Sequence, residues 1–381
     1  MTMHTKHQVL TDNLPRYLQA SKRAKTQLLD EWTVLLNLHR KSIIRYLRRQ
    51  QMKLRGIVSG KRGPKERYGP AVTVALRAVW ELSFVLCAER LHPILFEYIR
   101  ILQRDHQWHH ANDVTQLLCR MSIGTMKDRL RTLRSSQRTH RHTTTQPSVI
   151  RSIPIRHGPW INPQPGYGEV DTVVHCGDVL AGDLAYSVNY TDIATTWWEG
   201  DIQLNKGQYR TQESIQGIQH RLPFRLGGID PDSGSEFVNL VLYQWCQEQQ
   251  IELTRSRPYH KNDNAHIEQK NGAITRKFLG YARIDTEEQI TLAHQLVTGP
   301  LRLYVNFFQP SMQLQRKDRV GARYRRIYDR PRTPYQRVLE HPAVTDEVKT
   351  KLTELYQTLN PLLLKQQIDR LTRKIFTRPT R

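Results

Sequence analysis

Three acidic residues have the type and spacing of a metal-binding site. Asp171 lies in the middle of an apolar, strand-like segment, Asp232 lies in the turn PDSGSEF, and Glu268 follows it after thirty-five intervening residues. A carboxylate in a buried strand is costly unless a cation or a hydrogen-bond donor compensates it. Carboxylates with few bases nearby suit hard, oxygen-seeking cations such as Mg²⁺ or Mn²⁺. We therefore predict that Asp171, Asp232 and Glu268 together bind metal.

Two such ions, roughly 3.5 to 4 Å apart, would activate an attacking oxygen and stabilise the leaving oxygen of an in-line phosphodiester displacement. The sequence has no GxxxxGK[ST] segment, so no nucleotide cofactor is expected. Each acid also has a structural alternative: Asp171 paired with a buried base, Asp232 as a turn residue, and Glu268 as a solvated helix position. Asp230 competes with Asp232, and the spacing and the SGSEF context favour Asp232.

The elements that must position these acids follow from the hydrophobic pattern. Three β-rich segments, GYGEVDTVVHCG, DLAYSVNYTD and TTWWEGDIQL, predict an antiparallel meander with Asp171 in its first strand. A helix over 208–221, a strand over 224–229, a helix over 236–249, the short strand IELTRS and a helix from about residue 263 follow. Asp232 then lies just past the end of the fourth strand, where functional groups collect in mixed α/β sheets. Glu268 lies at the edge of a buried helical stripe that consists of Ile267, Asn271, Ile274 and Phe278.

The net charge of +23 indicates a polyanionic partner. The charge is +17 over residues 1–150, −6 over 151–250, +1 over 251–300 and +11 over 301–381. The basic flanks are therefore expected to contact phosphates, whereas the acidic middle is expected to bind cations.

Two segments of the basic first third have the pattern of a helix-turn-helix. In residues 21–50 two short helices with a break near Asn37 are predicted, and the second would carry basic residues into a DNA groove. An ordinary helical hairpin with a solvated basic face is the alternative. The residues predicted to contact DNA here are Arg40, Lys41, Arg45 and Arg48, followed by Lys61 and Arg62 in the linker GKRGPKERYGP, for which a solvated tether is the alternative.

A single apolar helix of about twenty residues is predicted over AVTVALRAVWELSFVLCAERL. The second helix-turn-helix pattern follows in DVTQLLCRMSIGTMKDRLRTLR, with Asp113 and Ser122 as helix caps and Thr125 and Lys127 presented to DNA. The histidines of residues 106–110 and Cys119 do not have the spacing of a zinc site.

These patterns divide the chain into six segments. They are a first helix-turn-helix domain (1–58), a basic linker (59–70), a second helical domain (71–135), a basic connector (136–160), an α/β core with a mixed five-stranded sheet (161–300), and a basic C-terminal region with helices (301–381). In the last segment Arg and Tyr are interleaved, which fits phosphate contact and stacking, and Arg325 and Arg326 are candidate DNA contacts.

The series formed by Asp171, Asp232 in DSGSEF and Glu268 in NDNAHIEQKN resembles the catalytic core shared by retroviral integrases and bacterial insertion-sequence transposases of the DDE type. The resemblance covers residues 160–285 and implies a ribonuclease-H-like fold, with the three acids as catalytic residues that hold two Mg²⁺ or Mn²⁺ ions. It also implies a homo-oligomer on double-stranded DNA that binds terminal inverted repeats, nicks the 3′ ends and transfers them to target DNA.

The sequence departs from the family pattern at several positions. Ser233 stands where asparagine is common, and Gly272 and Thr275 stand where basic residues often hold donor DNA. Lys270, Arg276 and Lys277 are the nearest substitutes for those bases. The loop before the helix is expected to press on DNA through Arg257, Lys261 and Asn262, with an ordinary polar loop as the alternative.

Two other functions remain open at this point. A transposase-derived DNA-binding regulator would keep the basic flanks but would tolerate loss of the acids, and a structure-selective nuclease of the same fold would cleave DNA without joining it. The four cysteines form no CxxC pair, and no signal peptide or run of apolar residues long enough for a membrane span is found. These features lead us to expect a cytoplasmic, nucleoid-associated bacterial protein without a membrane partner.

Overall fold

The computed structural model describes residues 1–56, 67–133, 153–154, 163–232, 234–256, 265–320 and 323–377. Two compact units are present, Met1–Arg67 and Tyr68–Arg381. Of the predicted DNA contacts, Lys61, Arg62, Arg257, Lys261 and Asn262 lie outside the described residues.

The first unit is helical and is built around eight buried side chains of the core. Its helices are α1 (Met3–Asp12), α2 (Leu14–Gln19), α3 (Lys22–Leu36) and α4 (Arg40–Leu54). The predicted break is confirmed: Asn37 ends α3 with φ 46° and ψ 56°, a left-handed conformation that asparagine tolerates. The core between the helices consists of Leu10, Leu14, Leu28, Leu29, Trp32, Leu36, Ile43 and Leu47.

The second unit contains a mixed five-stranded sheet, as the sequence predicts. Its strands are β1 (Tyr167–His175), β2 (Ala185–Asp192), β3 (Trp198–Leu204), β4 (Gly228–Pro231) and β5 (Glu252–Leu253), in the spatial order β3-β2-β1-β4-β5. The first three strands pair antiparallel, whereas β4 is parallel to both β1 and β5. This order and these directions are those of the ribonuclease-H-like arrangement. The fourth strand begins at Gly228, so the prediction of a strand over 224–229 was wrong by about four residues at its start.

In the described part of the second unit, four helices come before the sheet. They are α5 (Pro70–Leu82), α6 (Ala88–Arg104), α7 (Asn112–Cys119) and α8 (Ile123–Leu133). The prediction of one helix across 71–91 was wrong, because Phe84 and Val85 adopt φ values of 53° and 64° and separate α5 from α6. Ser122 Oγ accepts the Thr125 N–H at 3.2 Å and caps α8 as predicted. Asp113 lies in the first turn of α7 rather than at its N-cap, which is Ala111.

The remaining helices are α9 (Gln208–Arg221), α10 (Leu240–Glu248), α11 (Ala265–Lys270), α12 (Arg276–Leu279), α13 (Glu287–Leu296), α14 (Arg302–Phe308), α15 (Pro334–Glu340), α16 (Asp346–Thr358) and α17 (Pro361–Phe376). Wide π-helical turns, Asn271–Thr275 and Val297–Leu301, connect α11 to α12 and α13 to α14. A two-stranded antiparallel sheet, β6 (Leu314–Val320) with β7 (Arg323–Tyr328), stands between α14 and α15.

Helices α5 to α8, the sheet and the C-terminal helices share one hydrophobic core. The Tyr98 hydroxyl on α6 lies 2.8 Å from that of Tyr304 on α14, which in turn donates to the Leu82 carbonyl at 2.6 Å. The predicted segments 71–135, 161–300 and 301–381 are thus joined by packing, and their boundaries stay a proposal. Over the described ranges, none of the helices combines the length and apolarity that crossing a bilayer requires.

Candidate functional site

The register of two parallel strands brings Asp171 and Asp232 together. Strand β1 pairs with β4 from Tyr167↔Gly228 to Val170↔Pro231, so the next residue on each strand is one of the two acids. Asp171 therefore lies on the central strand immediately beyond the point where β4 ends. The interpretation of Asp232 as a residue just past the fourth strand is consistent with this geometry.

Asp171 is held by two donors and is partly exposed. Its Oδ1 accepts the Thr172 N–H at 2.8 Å, and its Oδ2 accepts the Asn271 side-chain amide at 2.6 Å. The Asn271 donor comes from the π-helical turn that directly follows α11, and π-helical turns inside helices are frequent at functional sites. The carboxylate is thus fixed in direction by the sheet on one side and by the helix on the other.

Asp232 sits in the turn after β4, where its Oδ1 accepts the Gly234 N–H at 2.9 Å. Gly234 also lies close to a second acid, since a Cβ built there would be 2.8 Å from Glu236 Oε2 and 2.9 Å from Asp232 Oδ1. A side chain at this position would therefore press on two carboxylates. The glycine of DSGSEF leaves room for both carboxylates in their present positions.

Glu236 is a fourth acid of the site, which the sequence pattern alone had not indicated. It is 7% exposed, its Oε1 accepts the Thr172 hydroxyl at 3.0 Å, and its Oε2 lies 3.7 Å from Lys206 Nζ. That Oε2 accepts no hydrogen bond among the described residues. Its position four residues after Asp232, inside the quoted SGSEF segment, was the signal that could have found it.

Glu268 lies on α11 and is exposed. The helix is positioned by its neighbours: the Ile267 N–H donates to Glu169 Oε2 on β1 at 2.9 Å. The predicted apolar stripe is confirmed, because Ile267, Asn271, Ile274 and Phe278 are all buried. Glu268 follows Ile267 at the edge of this stripe, on the solvent-facing side of the site.

The neighbouring acids act on Asp171 and Asp232. Burial and the negative charges of Asp232, Glu236 and Glu268 raise the pKa of Asp171 well above its usual value, against the Thr172 N–H, which lowers it. Burial and the charge of Glu236 raise the pKa of Asp232. The hydrogen bond from the Gly234 N–H and the charge of Lys206 oppose this rise. The cluster therefore carries excess negative charge that a cation would compensate.

The donor set fits a hard divalent cation. Among the described residues, the acids of the site offer carboxylate oxygens, and one lysine lies at the edge. Mg²⁺ and Mn²⁺ prefer such oxygen ligands. Within the ranges that the structure covers, no group of three His, Cys, Asp or Glu side chains is already arranged to hold a metal ion. That Asp171, Asp232 and Glu268 would hold one stays a prediction.

Asp230, the rival of Asp232 in the sequence, has a different role. It is fully buried in β4, opposite Glu169 of β1, and its Oδ1 accepts the Thr254 hydroxyl at 2.6 Å. Asp232 rather than Asp230 raises the pKa of Asp171. This geometry supports the choice of Asp232.

The basic residues of α4 form a surface of the first unit. Lys41, Arg45 and Arg48 are exposed at successive helical turns, whereas Arg40 is partly covered and its Nε lies 3.0 Å from Asp30 Oδ1. Three exposed cations on one helical face fit contact with phosphates. Their contact with DNA stays a prediction.

The candidate contacts on α8 and around α12 already have partners within the protein. The Thr125 hydroxyl lies 3.0 Å from that of Ser122 at the helix cap, and Lys127 Nζ lies 3.0 Å from Glu89 Oε1. Lys277 Nζ donates to the Phe84 carbonyl at 2.6 Å, and the guanidinium of Arg276 lies 4.7 Å from the centroid of the Tyr281 ring. DNA contacts by these residues would compete with contacts that stabilise the fold.

Two lysines near Glu268 have lowered pKa values. Burial, together with the positive charges of Arg90 and Arg337, lowers the pKa of Lys270 to about 7, and burial and Arg90 lower that of Lys277 to about 8. With its pKa of about 7, Lys270 is about half protonated near neutral pH. A phosphate nearby would favour its charged form.

Solved structures that are similar to the chain match it with low TM-scores. The chain is similar to the HTLV-2 integrase catalytic core domain in complex with magnesium (dimeric form), with a TM-score of 0.30 and 11% identity, over 39% of this chain and 90% of that chain. It is also similar to the simian T-cell lymphotropic virus intasome in complex with PP2A regulatory subunit B56 gamma, with a TM-score of 0.30 and 12% identity, over 55% of this chain and 69% of that chain. At these TM-scores the fold assignment rests on the strand order and directions alone.

No family model matches the chain. A much more similar relative is "Uncharacterized protein y4rM" of Sinorhizobium fredii, which is 36% identical over 340 residues. The aligned region covers 88% of this chain and 96% of that protein, so the two share nearly their whole length. This chain belongs to the same protein family as y4rM.

Proposed function

We propose that the chain is a DNA transposase, a polynucleotidyl transferase that binds the terminal inverted repeats of a mobile element, nicks the 3′ ends and joins them to target DNA. The observation that supports this most directly is the strand register that brings Asp171 beside Asp232 at the end of β4. Burial and the negative charges of Asp232, Glu236 and Glu268 raise the pKa of Asp171. Excess negative charge of this kind is what a divalent cation compensates. When bound, Mg²⁺ or Mn²⁺ supplies charge neutralisation at the scissile phosphate and activation of the attacking oxygen.

Other residues of the chain would orient the acids and contact the DNA. Thr172 and Asn271 orient the Asp171 carboxylate, and Gly234 orients Asp232. The solvent-facing position of Glu268 leaves the site accessible to a DNA phosphate. The charge of +11 over residues 301–381 and the exposed cations of α4 would contribute to holding the DNA backbone.

The test is strand transfer of a labelled duplex that carries the candidate element end into plasmid DNA, with Mg²⁺ or Mn²⁺. Joined product from the wild type, and none from Asp232→Asn or Glu268→Gln, is the expected result. Cleavage without joining would favour a nuclease, and tight binding of the end without nicking or joining under either metal would favour a DNA-binding regulator. Asp178→Asn, an exposed acid in the loop after β1, is the control for loss of one negative charge.

A further inference from the structure

The two-stranded sheet formed by β6 and β7 carries much of the C-terminal charge. Residues 314–328 contain six basic side chains and one acidic one. The strands pair antiparallel with the partners Lys317↔Arg326, Asp318↔Arg325 and Arg319↔Tyr324, and Arg316 pairs with Ile327. We call this element the ribbon.

The pairing register gives the ribbon two different faces. Paired residues share a face and successive residues alternate between faces. One face, which we call the basic face, therefore carries no acid and consists of Lys317, Arg319, Tyr324 and Arg326. Among the residues whose side chains the structure describes, the opposite face, the mixed face, includes Arg316, Asp318, Arg325 and Ile327.

Side-chain contacts agree with this assignment. On the basic face the Lys317 ammonium lies 4.4 Å from the centroid of the Tyr324 ring. On the mixed face Arg316 Nε lies 2.9 Å from Asp318 Oδ1. The acid thus neutralises the mixed face in part, whereas the basic face includes no acid among the residues that the structure describes.

The ribbon projects away from the core but is anchored at its base. None of the described side chains of β6 or β7 belongs to the hydrophobic core, and those of the basic face are exposed. At the base Asp329 Oδ1 accepts the Gln313 N–H at 2.7 Å, and Asp329 Oδ2 lies 2.7 Å from Arg337 of α15. Gln313 Nε2 also donates to the Ile193 carbonyl beside β2 at 2.8 Å.

An exposed two-stranded ribbon is only marginally stable in water, so a partner that covers one face would stabilise it. The major groove of duplex DNA accommodates a two-stranded β-ribbon, and phosphate contacts by Arg and Lys fix its position there. We propose that the ribbon binds duplex DNA through its basic face, with Lys317 and Arg326 on phosphates and Tyr324 against the sugar-phosphate backbone, while the mixed face is turned away. This inference rests on the proposed action on DNA and separates Arg326 from its neighbour Arg325, which the sequence pattern had grouped together.

The experiment uses two adjacent residues on opposite faces. Binding of the full-length protein to a labelled duplex of arbitrary sequence is measured by fluorescence anisotropy in EDTA, over a series of salt concentrations. Lys317→Gln and Arg316→Gln each remove one positive charge from the same exposed strand, so bulk charge affects both equally. Thermal unfolding of each variant, compared with wild type, shows that the fold is retained.

We expect Lys317→Gln and Arg326→Gln each to reduce the magnitude of the slope of log K against log salt by about 0.9. Each substitution should weaken binding several-fold to about tenfold at about 0.1 M salt. The slope for Arg316→Gln should equal that of the wild type. Equal slope changes for Lys317→Gln and Arg316→Gln, or no change in either, would overturn the proposal. Because no metal is present, this result does not depend on cleavage or joining, and a failure of the proposed transposase activity would appear only in the strand-transfer assay.

Discussion

Asp232→Asn should make the protein more stable in the absence of divalent metal while abolishing its activity. The substitution is isosteric, and the amide oxygen can still accept the Gly234 N–H that Asp232 Oδ1 accepts at 2.9 Å. What changes is the charge, and among the charged neighbours Asp232 makes the largest contribution to the raised pKa of Asp171. A carboxyl whose pKa is raised on folding weakens the folded state at pH values above its unfolded pKa. Removing the neighbour that raises it therefore strengthens the folded state at neutral pH.

The magnitude follows from the electrostatics of adjacent carboxylates. Like charges between about 4 and 8 Å apart repel by about 2 to 4 kcal/mol at an effective dielectric constant of 20. Water reaches both side chains, since Asp171 and Asp232 are partly exposed, and screening reduces this repulsion. We expect a gain of about 1 to 2 kcal/mol in the free energy of unfolding.

The assay is denaturant unfolding of wild type and Asp232→Asn, each in EDTA and in a Mg²⁺ series. Wild type should gain about 1.4 kcal/mol at a Mg²⁺ concentration ten times its Kd, and the variant should gain much less. Asp178→Asn should match wild type in both conditions. A variant that is less stable than wild type in EDTA, or a wild type that does not respond to Mg²⁺, would refute the interpretation of the cluster as an uncompensated cation site.

Three further predictions concern the support of the site and the core. Asn271→Ala removes the amide that donates to Asp171 at 2.6 Å. It should shift the Mg²⁺ dependence of activity, measured by metal titration. It should lower the free energy of unfolding, measured with denaturant, by only about 1 kcal/mol. Tyr98→Phe removes the 3.0 Å donor to the Phe308 carbonyl and should destabilise the second unit by about 1 to 3 kcal/mol in denaturant unfolding. Burial lowers the pKa of His175 to about 3, so below pH 6.5 the unfolded chain takes up a proton that the folded chain does not. The contribution of His175 to the free energy of unfolding should therefore fall by about 2 kcal/mol between pH 6.5 and 5. His175→Gln should flatten that part of the curve of unfolding free energy against pH.

Matched exposed residues provide the controls for the core predictions. Tyr209, which is 64% exposed on α9, should tolerate replacement by Phe without loss of stability. His220, exposed near the end of the same helix, should leave the pH profile unchanged when replaced by Gln. If Tyr209→Phe destabilised the protein as much as Tyr98→Phe, the hydrogen bonds between α6 and α14 would not explain the effect.

The sequence predicts the order of the elements well because their patterns are local. The first three strands and the helix Gln208–Arg221 each carry a periodicity that the hydrophobic core then satisfies. The break between α5 and α6 has no such signal, since Phe84 and Val85 adopt left-handed conformations that only the surrounding packing can enforce. Strands β6 and β7 were missed for a different reason, because their charged residues obscure the alternation that marks a strand.

The site could be predicted in part for a related reason. Asp171 and Asp232 lie side by side because of the register between β1 and β4. The alternation of apolar and polar residues and the end of β4 nearly determine that register. Glu236 and Asn271 could not be assigned from spacing alone. The first depends on how the turn after β4 folds back to Thr172, and the second depends on a π-helical turn, which arises from tertiary packing rather than from sequence propensity.

The helix that carries Glu268 is held from its C-terminal side. Beyond the π-helical turn, Lys277 donates to the Phe84 carbonyl, and the Phe84 ring packs edge-on against Phe278 at 4.7 Å and Tyr304 at 5.0 Å. The left-handed backbone of Phe84 costs about 1 to 3 kcal/mol, and these contacts offset that cost. The turn between α5 and α6 therefore anchors α12 and, through the π-helical turn, α11. The helical layer before the sheet thus contributes to the position of Glu268, although none of its described residues is one of the acids of the site.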